Sequence, residues 1–280
     1  MKRVSTKSFL LAAMATSALT VVATPAFAQD EAAAEEVDSG EIIVTARRRD
    51  ESLQDTPVAI TAINTAMLEN KASLNIGDLQ GAAPGLLITQ QNSGAAAANL
   101  SIRGLTYADI EKSQTPTVGV VVDGVTIGTN TGQLQDVFDV AQIEVLRGPQ
   151  GTLFGANTIG GVVSITRTKP TMETGLKAEL TYGKWNTLTA KAIGNVGNGD
   201  SLGLKLWYFH NETDGFYRNA TANRRAGWSK GDNFGGSLLF KPSALDLDVQ
   251  LTVGQSNQKF EPVVSNLTNS TELFCGFIPA

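Results

Sequence analysis

Residues 143–165 read IEVLRGPQGTLFGANTIGGVVSI, and the rest of the chain makes sense around them. Ile143-Glu144-Val145-Leu146 is a short apolar-rich strand carrying one charge. Arg147-Gly148-Pro149 stops it, because proline has no N–H for a ladder and glycine permits an unusual turn. Gly151, Gly155, Gly160 and Gly161 keep the following backbone free to turn, and Val162-Val163-Ser164-Ile165 is a second, β-branched strand. A glycine-rich link between strands can cradle a phosphate. A Walker loop, however, ends in Gly-Lys-Ser/Thr, and here Gly160 is followed by Gly161 and Val162. The G-x-G-x-x-G spacing of a dinucleotide site is absent as well. A tightly turned β-rich core without chemistry is the plainer alternative.

The run closely resembles the end of the plug domain of TonB-dependent outer-membrane receptors, whose pattern is IEVLRGPxGxLYGxxxxGGxIxI. Phe154 stands where that family usually has tyrosine, and Ala156 where many members have arginine. Ser101-Ile102-Arg103-Gly104 matches the family's IRG motif. Thr117 to Val122, Asp123-Gly124 and Val125 to Ile127 read as a hairpin whose VVDGV core also matches, since Asp-Gly tolerates the positive φ of a tight turn. The motif positions are Gly104, Asp123, Gly124, Glu144, Gly148, Pro149, Gly151, Gly155, Gly160 and Gly161. The resemblance implies an α+β plug domain, placed at residues 56–168, followed by the start of an antiparallel transmembrane β-barrel that is incomplete.

Upstream, residues 1–28 read as a signal peptide. Lys2, Arg3 and Lys7 give a basic start, Phe9 to Ala23 is apolar but short for a membrane helix, and Ala26-Phe27-Ala28 is a small-x-small cleavage site. Removing these three basic residues from the chain's 22 leaves 19 against 27 acidic ones, a net charge of −8. That balance disfavours nucleic acid as a partner. Cys275 is the only cysteine and His210 the only histidine, so a disulfide framework, a Cys/His metal site and a Ser-His-Asp triad all lack their parts. No cofactor and no enzyme activity are expected.

Residues 29–55 are acidic, alanine-rich and then polar, a disordered lead-in. Within it Glu41-Ile42-Ile43-Val44-Thr45-Ala46 is a β-prone island with no sheet partner nearby, suited to strand addition on another protein. It looks like the family's TonB box. An ordinary first strand of the domain is the other reading, and the position ahead of a plug favours the box. Pro57 to Ile63 reads as a strand, and Asn64 caps a short helix through about Asn70. Leu74 to Gln80 is a second short helix ending at Gly81. Leu86 to Thr89 and Asn99 to Arg103 are strands.

After Lys169-Pro170 the period becomes strictly two. Leu176, Ala178, Leu180 and Tyr182 form one face; Leu188, Ala190 and Ala192, then Leu202, Leu204, Leu206 and Tyr208, then Phe234, Leu238 and Phe240 form others. Leu245, Leu247, Val249, Leu251 and Val253 alternate with polar residues. Apolar residues outside and charges inside are the pattern of a transmembrane barrel, with a soluble sandwich as the alternative. Gly183 to Asn186, Gly197 to Asp200 and Pro242 to Ala244 are tight turns, and Thr213 to Gly231 is a long loop. Residues 175–280 hold five such strands, whereas plugged outer-membrane transporters have about 22. The chain therefore reads as an N-terminal fragment.

The resemblance implies a receptor in the outer membrane of a Gram-negative bacterium, in contact with its lipid, that takes up a scarce bulky ligand such as a ferric siderophore. TonB and its inner-membrane complex supply the energy. Glu41 to Ala46 would pair with TonB, and Arg103 and Arg147 resemble plug arginines that lock against barrel glutamates. Phe216, Tyr217, Arg218, Arg224, Arg225 and Trp228 give the long loop an aromatic, cationic character that suits an anionic ligand; an interfacial rim with solvated arginines is the plainer reading. The alternative function is a secreted plug that binds TonB or acts as an interaction module without transport.

Overall fold

The computed structural model describes residues 42–45, 49, 51–71, 73–91, 96–107, 115–219, 223–243 and 245–261. The expected signal peptide, Glu41, Ala46 and the segment from 262 onward lie outside them.

The chain enters through two short paired strands, β1 (Ile43–Val44) and β2 (Glu51–Ser52). Next come β3 (Ile60–Asn64) and α1 (Thr65–Asn70), with no residue between them. Asn64 Oδ1 accepts from the Met67 N–H, the expected cap. β3 begins three residues later than Pro57. The expected helix over Leu74 to Gln80 is only a 3-10 turn, Ile76–Leu79. There Asn75 and Asp78 cap each other's ends, and Ile76 and Leu79 go straight into the core. Both anchors lie within one turn, so the segment has no second apolar turn to extend on.

β4 (Leu86–Gln90) and β5 (Ala98–Ile102) pair antiparallel. β6 (Val118–Val122) and β7 (Val125–Ile127) form the expected hairpin, with Asp123 at φ 48° and Gly124 at φ 84°. β8 (Val140–Arg147) is longer than its sequence core suggests. After the single turn α2 (Gly151–Phe154), β9 (Gly161–Arg167) returns antiparallel to β8 and parallel to β6. The resulting sheet has the order β3-β8-β9-β6-β7. Ile63, Ile143, Val145, Val163, Ile165 and Val120 point from one face into the main core. Leu146, Val162 and Val121 point to the other. A Cβ at Gly161 would meet Leu146 O at 2.2 Å, so only glycine lets β9 leave the turn this close to β8.

The second region is a wall of long antiparallel strands: β10 (Gly175–Gly183), β11 (Thr187–Gly197) and β12 (Leu202–Thr213). A small hairpin, β13 (Tyr217–Asn219) and β14 (Arg224–Ala226), rises from the long loop. β15 (Ser229–Phe240) and β16 (Val249–Phe260) complete the order β10-β11-β12-β15-β16. The sheet is open, with β10 and β16 at its edges among the described residues. Leu245 and Leu247, expected in the last strand, belong to the preceding turn: Leu245 N–H bonds to Pro242 O and Leu247 N–H to Leu245 O. Local turn bonds thus outcompete the two-residue period there. The strand instead extends to Phe260.

The register sorts the outer face into levels. Leu202, Phe240 and Val249 share one cross-strand row; Leu204, Leu238 and Leu251 the next; Leu206, Gly236 and Val253 the third. Tyr208 and Phe234 then form an aromatic row, and above it lie His210 with Asp232 and Glu212 with Lys230. The leucines are solvent-facing in the isolated chain, Leu251 being 62% exposed. An exposed apolar band closed by aromatics and then charges is what a lipid-facing barrel wall requires. The expectation of charges inside needs correction. The inner face also carries Ile193, Trp207 and Phe209, which pack on Phe138 of the first domain.

Candidate functional site

The island at the N-terminus does have a sheet partner, contrary to the sequence expectation. β1 pairs with β2, Leu53 N–H bonds to Ile42 O, and Val44 is 1% exposed. The polar stretch that looked like a linker folds back to supply the second strand. β1 is also held on β8. Thr45 donates its N–H to Glu144 Oε1 at 2.6 Å, and its hydroxyl lies 3.2 Å from the same oxygen. Gln142 Nε2 reaches both Ile43 O, at 3.1 Å, and Glu144 Oε1, at 3.0 Å. Glu144, picked out as a motif residue, is itself 1% exposed. Its carboxylate anchors a segment 99 residues earlier in the chain.

Arg147 ends β8 as expected, whereas Arg103 lies just past β5, which stops at Ile102. Arg103 is exposed, at φ 54°, and Arg147 is half-buried with its N–H on Ala59 O. Neither makes an ion pair among the described residues, whose strands hold the first domain to the wall by other means. Lys205, on the inner face of β12 and 2% exposed, donates to Asp139 Oδ2 at 2.5 Å and to Thr168 O. Thr168 in turn bonds Asp139 through its hydroxyl and its N–H. Asp139 adopts φ 55°, which aspartate tolerates better than most residues. Phe138 stacks on Phe209 beside this pair. A buried ion pair of this kind is sensitive to loss of one partner, at about 3–5 kcal/mol.

Elsewhere the domain stands off from the wall. One cleft of about 770 Å³ lies between α1 and the inner face of β10 and β11. It is bridged by Glu69 and Lys177 at 2.6 Å, and this bond to Lys177 holds the Glu69 carboxyl below its usual range. A second cleft, about 420 Å³, is lined by Asp136, Arg167, Trp207 and Asn233 among others. Burial pushes the Asp136 carboxyl up to about 6, against the opposing pull of Arg167. Among the described residues no group of three or more histidine, cysteine, aspartate or glutamate side chains could hold a metal ion.

In the long loop Phe216 lies 4.2 Å from Tyr217 and 5.9 Å from Trp185, ring to ring. Arg224 is paired with Glu261 at 2.7 Å, so not all of the loop's cations stand free. Sequence reasoning missed Lys205, Asp139, Phe138 and Phe209. Their only signal was a lysine between two leucines, on a strand whose nearest inner positions, Gly203, Trp207 and Phe209, are glycine and aromatic.

Comparison with known proteins identifies the first domain. The TonB-dependent Receptor Plug Domain family matches residues 52–162. The vitamin B12 transporter of Vibrio vulnificus is 28% identical over 193 residues, 65% of this chain and 30% of that protein. The pesticin receptor of Yersinia pestis is 34% identical over 136 residues, covering 48% and 19%. The ferripyoverdine receptor of Pseudomonas aeruginosa is 26% identical over 239 residues, covering 83% and 27%. The chain thus spans between 19% and 30% of these relatives' own length. The crystal structure of the ferric yersiniabactin uptake receptor from Yersinia pestis superposes with a TM-score of 0.66 at 23% identity, over 72% of this chain and 32% of that one. That likeness extends the shared fold from the plug into the wall strands. Residues 52–162 are thus a TonB-dependent receptor plug domain, and the strands after it share the fold of that solved receptor.

Proposed function

We propose that this chain supplies the plug and the first wall strands of an outer-membrane receptor that takes up a scarce, bulky ligand with energy delivered by TonB. Residues 1–28 direct export, and Glu41 to Ala46 are the segment TonB seizes. Arg103 and Arg147, free of ion pairs among the described residues, are available to carboxylates on further wall strands. A ferric siderophore is the ligand class we favour. The relative named for ferripyoverdine aligns with this chain, and the loop at 213–231 carries Phe216, Tyr217, Arg218 and Arg225 on an exposed rim.

The observation that carries this reading is a short strand, Ile43–Val44, held on the plug by side-chain hydrogen bonds rather than built into its main sheet. Such a strand can be exchanged for another pairing partner without dismantling the core. No step in uptake requires a covalent bond to be made, so the work is conformational.

The test is deletion of the gene in its own bacterium, followed by growth on limiting iron with a panel of ferric siderophores and, separately, on limiting cobalamin. Loss of use of one ferric siderophore, restored by the gene, is the expected result. Unchanged use of the whole panel would count against the iron assignment, and loss on cobalamin alone would redirect it.

A further inference from the structure

Two cross-strand pairs at the end of the wall that carries the long loop set like charges directly opposite each other. β15 and β16 place Lys230 against Lys259, and the small hairpin places Arg218 of β13 against Arg225 of β14. Like charges in directly opposed positions destabilise a sheet. The whole chain has a net charge of −5, so a general excess of basic residues does not account for these pairs.

The neighbouring carboxylates leave most of this repulsion in place. Glu212 takes Lys230 at 3.1 Å. Asp232, the next acid down the same face, is engaged by His210 Nδ1 at 2.8 Å and by the Tyr208 hydroxyl at 3.0 Å. Glu261 takes Arg224 at 2.7 Å and the Gly227 N–H at 2.8 Å. Lys259, Arg218 and Arg225 are exposed and have no ion pair among the described residues. Arg218 Nη2 lies 3.4 Å from Asn223 Oδ1 and Arg225 Nη1 3.5 Å from Gly215 O. Bonds this long leave most of each guanidinium fork unused. The hairpin itself is held on both sides. Glu261 ties β14 to the end of β16, and the Asp214 N–H bonds to Trp185 O at 3.0 Å.

The height of these residues on the wall decides which anion they meet. Lys230 and Lys259 lie on the outer face, two rows past Tyr208 and Phe234 on the side away from the apolar band. That is roughly 13 Å along the strands, and less along the membrane normal once they tilt. Aromatic rings that close an apolar band sit at the level of lipid headgroups, and basic side chains beside them meet anionic lipid.

Resting on the outer-membrane reading above, we propose that Lys230, Lys259, Arg218 and Arg225 hold the phosphate-bearing headgroup of a lipid against the outside of the wall. The arginines grip one phosphate through paired N–H groups, and the lysines add point charges below it. A phosphate between each facing pair removes the repulsion that the register imposes. The lysines face away from the plug, so the site fixes the receptor in its membrane and takes no part in uptake. Arg218 and Arg225 then meet lipid, and Phe216 and Tyr217 remain for the transported ligand.

The test uses the receptor produced from its whole gene and extracted from outer membranes in mild detergent. Stripped of lipid, it is titrated by native mass spectrometry with lipid A bearing its phosphates, with the same lipid after phosphatase treatment, and with inorganic phosphate. We expect the phosphorylated lipid to bind at least tenfold more tightly than the dephosphorylated one, and this preference to shrink as salt is raised. Combining Arg218→Gln, Arg225→Gln and Lys259→Gln should abolish the preference, whereas Lys259→Arg alone should keep it. Equal affinity of parent and triple variant for the phosphorylated lipid would overturn the proposal, as would inorganic phosphate binding as tightly as the lipid. If the triple variant does not fold, the salt dependence and Lys259→Gln alone carry the test, and a preference unmoved by both rejects the site. Absence of the receptor from outer membranes rejects the reading beneath. Its presence there without a preference for phosphate rejects the lipid site alone.

Discussion

Phe138 of the plug and Phe209 of the wall lie face to face, their ring centroids 4.7 Å apart and their planes 1° from parallel. Phe209 is 2% exposed and Phe138 4%. Beside them Lys205 reaches Asp139. An aromatic stack and a buried ion pair together define where the plug is fixed. Phe209→Ala should therefore destabilise the plug–wall assembly by about 3–5 kcal/mol, read as a fall in the urea midpoint and as earlier proteolysis of the plug.

Lys205→Met should cost about 3–5 kcal/mol as well, because it strands the Asp139 carboxylate in a buried site. Adding Asp139→Asn removes that charge while keeping a residue that tolerates φ 55°. The double variant should be more stable than Lys205→Met alone. Simple additivity in the urea midpoints would mean that the two residues act independently.

Binding of TonB should respond in opposite directions to two changes near β1. Val44→Pro removes a backbone donor; at about 1 kcal/mol per strand bond, the loss of one or two amounts to roughly tenfold in affinity. Glu144→Ala frees Thr45 from its anchor, raises the fraction of chains with an available strand and should tighten binding. Isothermal titration against the TonB periplasmic domain measures both. A weakening by Glu144→Ala would show that the docked strand, rather than the released one, is what TonB recognises.

Asp136 gives the plug a pH dependence. Its carboxyl titrates at about 6 in the folded chain, above the ordinary value of 3.8, because burial disfavours the charged form. The folded state then binds more protons than the unfolded state between these values. Stability should fall as pH rises from about 4 to about 6 and change little from this source above that. Asp136→Asn should flatten this portion of the curve and raise stability at neutral pH, as followed by urea unfolding at a series of pH values.

On the outer face, Leu251→Arg places a charge in the middle of the apolar band and should lower membrane assembly by about 2–4 kcal/mol. Ser256→Arg, on the inner face, should be tolerated. Fractionation of outer membranes from cells producing each receptor distinguishes them.

How much of this was legible in the sequence depended on the range of the interactions. The hairpin at Asp123-Gly124, the Asn64 cap and the outward rows of β12 are set by neighbours or by a period of two, and all were readable. The docking of Thr45 on Glu144 joins residues 99 positions apart and leaves no local trace. Asp139 looked like one more surface carboxylate until β12 brought Lys205 to it. Trp207 and Phe209 broke the rule of a polar interior because the domain they face is itself apolar at Phe138. Leu245 and Leu247 kept the period and still failed as a strand, since the turn bonds from Pro242 took their backbone.

The seat at β12 also bears on how such a molecule is built. Thr168 and Lys205 are only 37 residues apart in the chain, and Asp139 and Lys205 66. Closing loops of this length costs little entropy compared with pairing strands from opposite ends of a large barrel. The plug can thus capture β12 soon after that strand is made, and β11 and β15 can add on either side of it. A plug with this seat is a template: it holds the neighbouring wall strands in register and shields the inner face of β12.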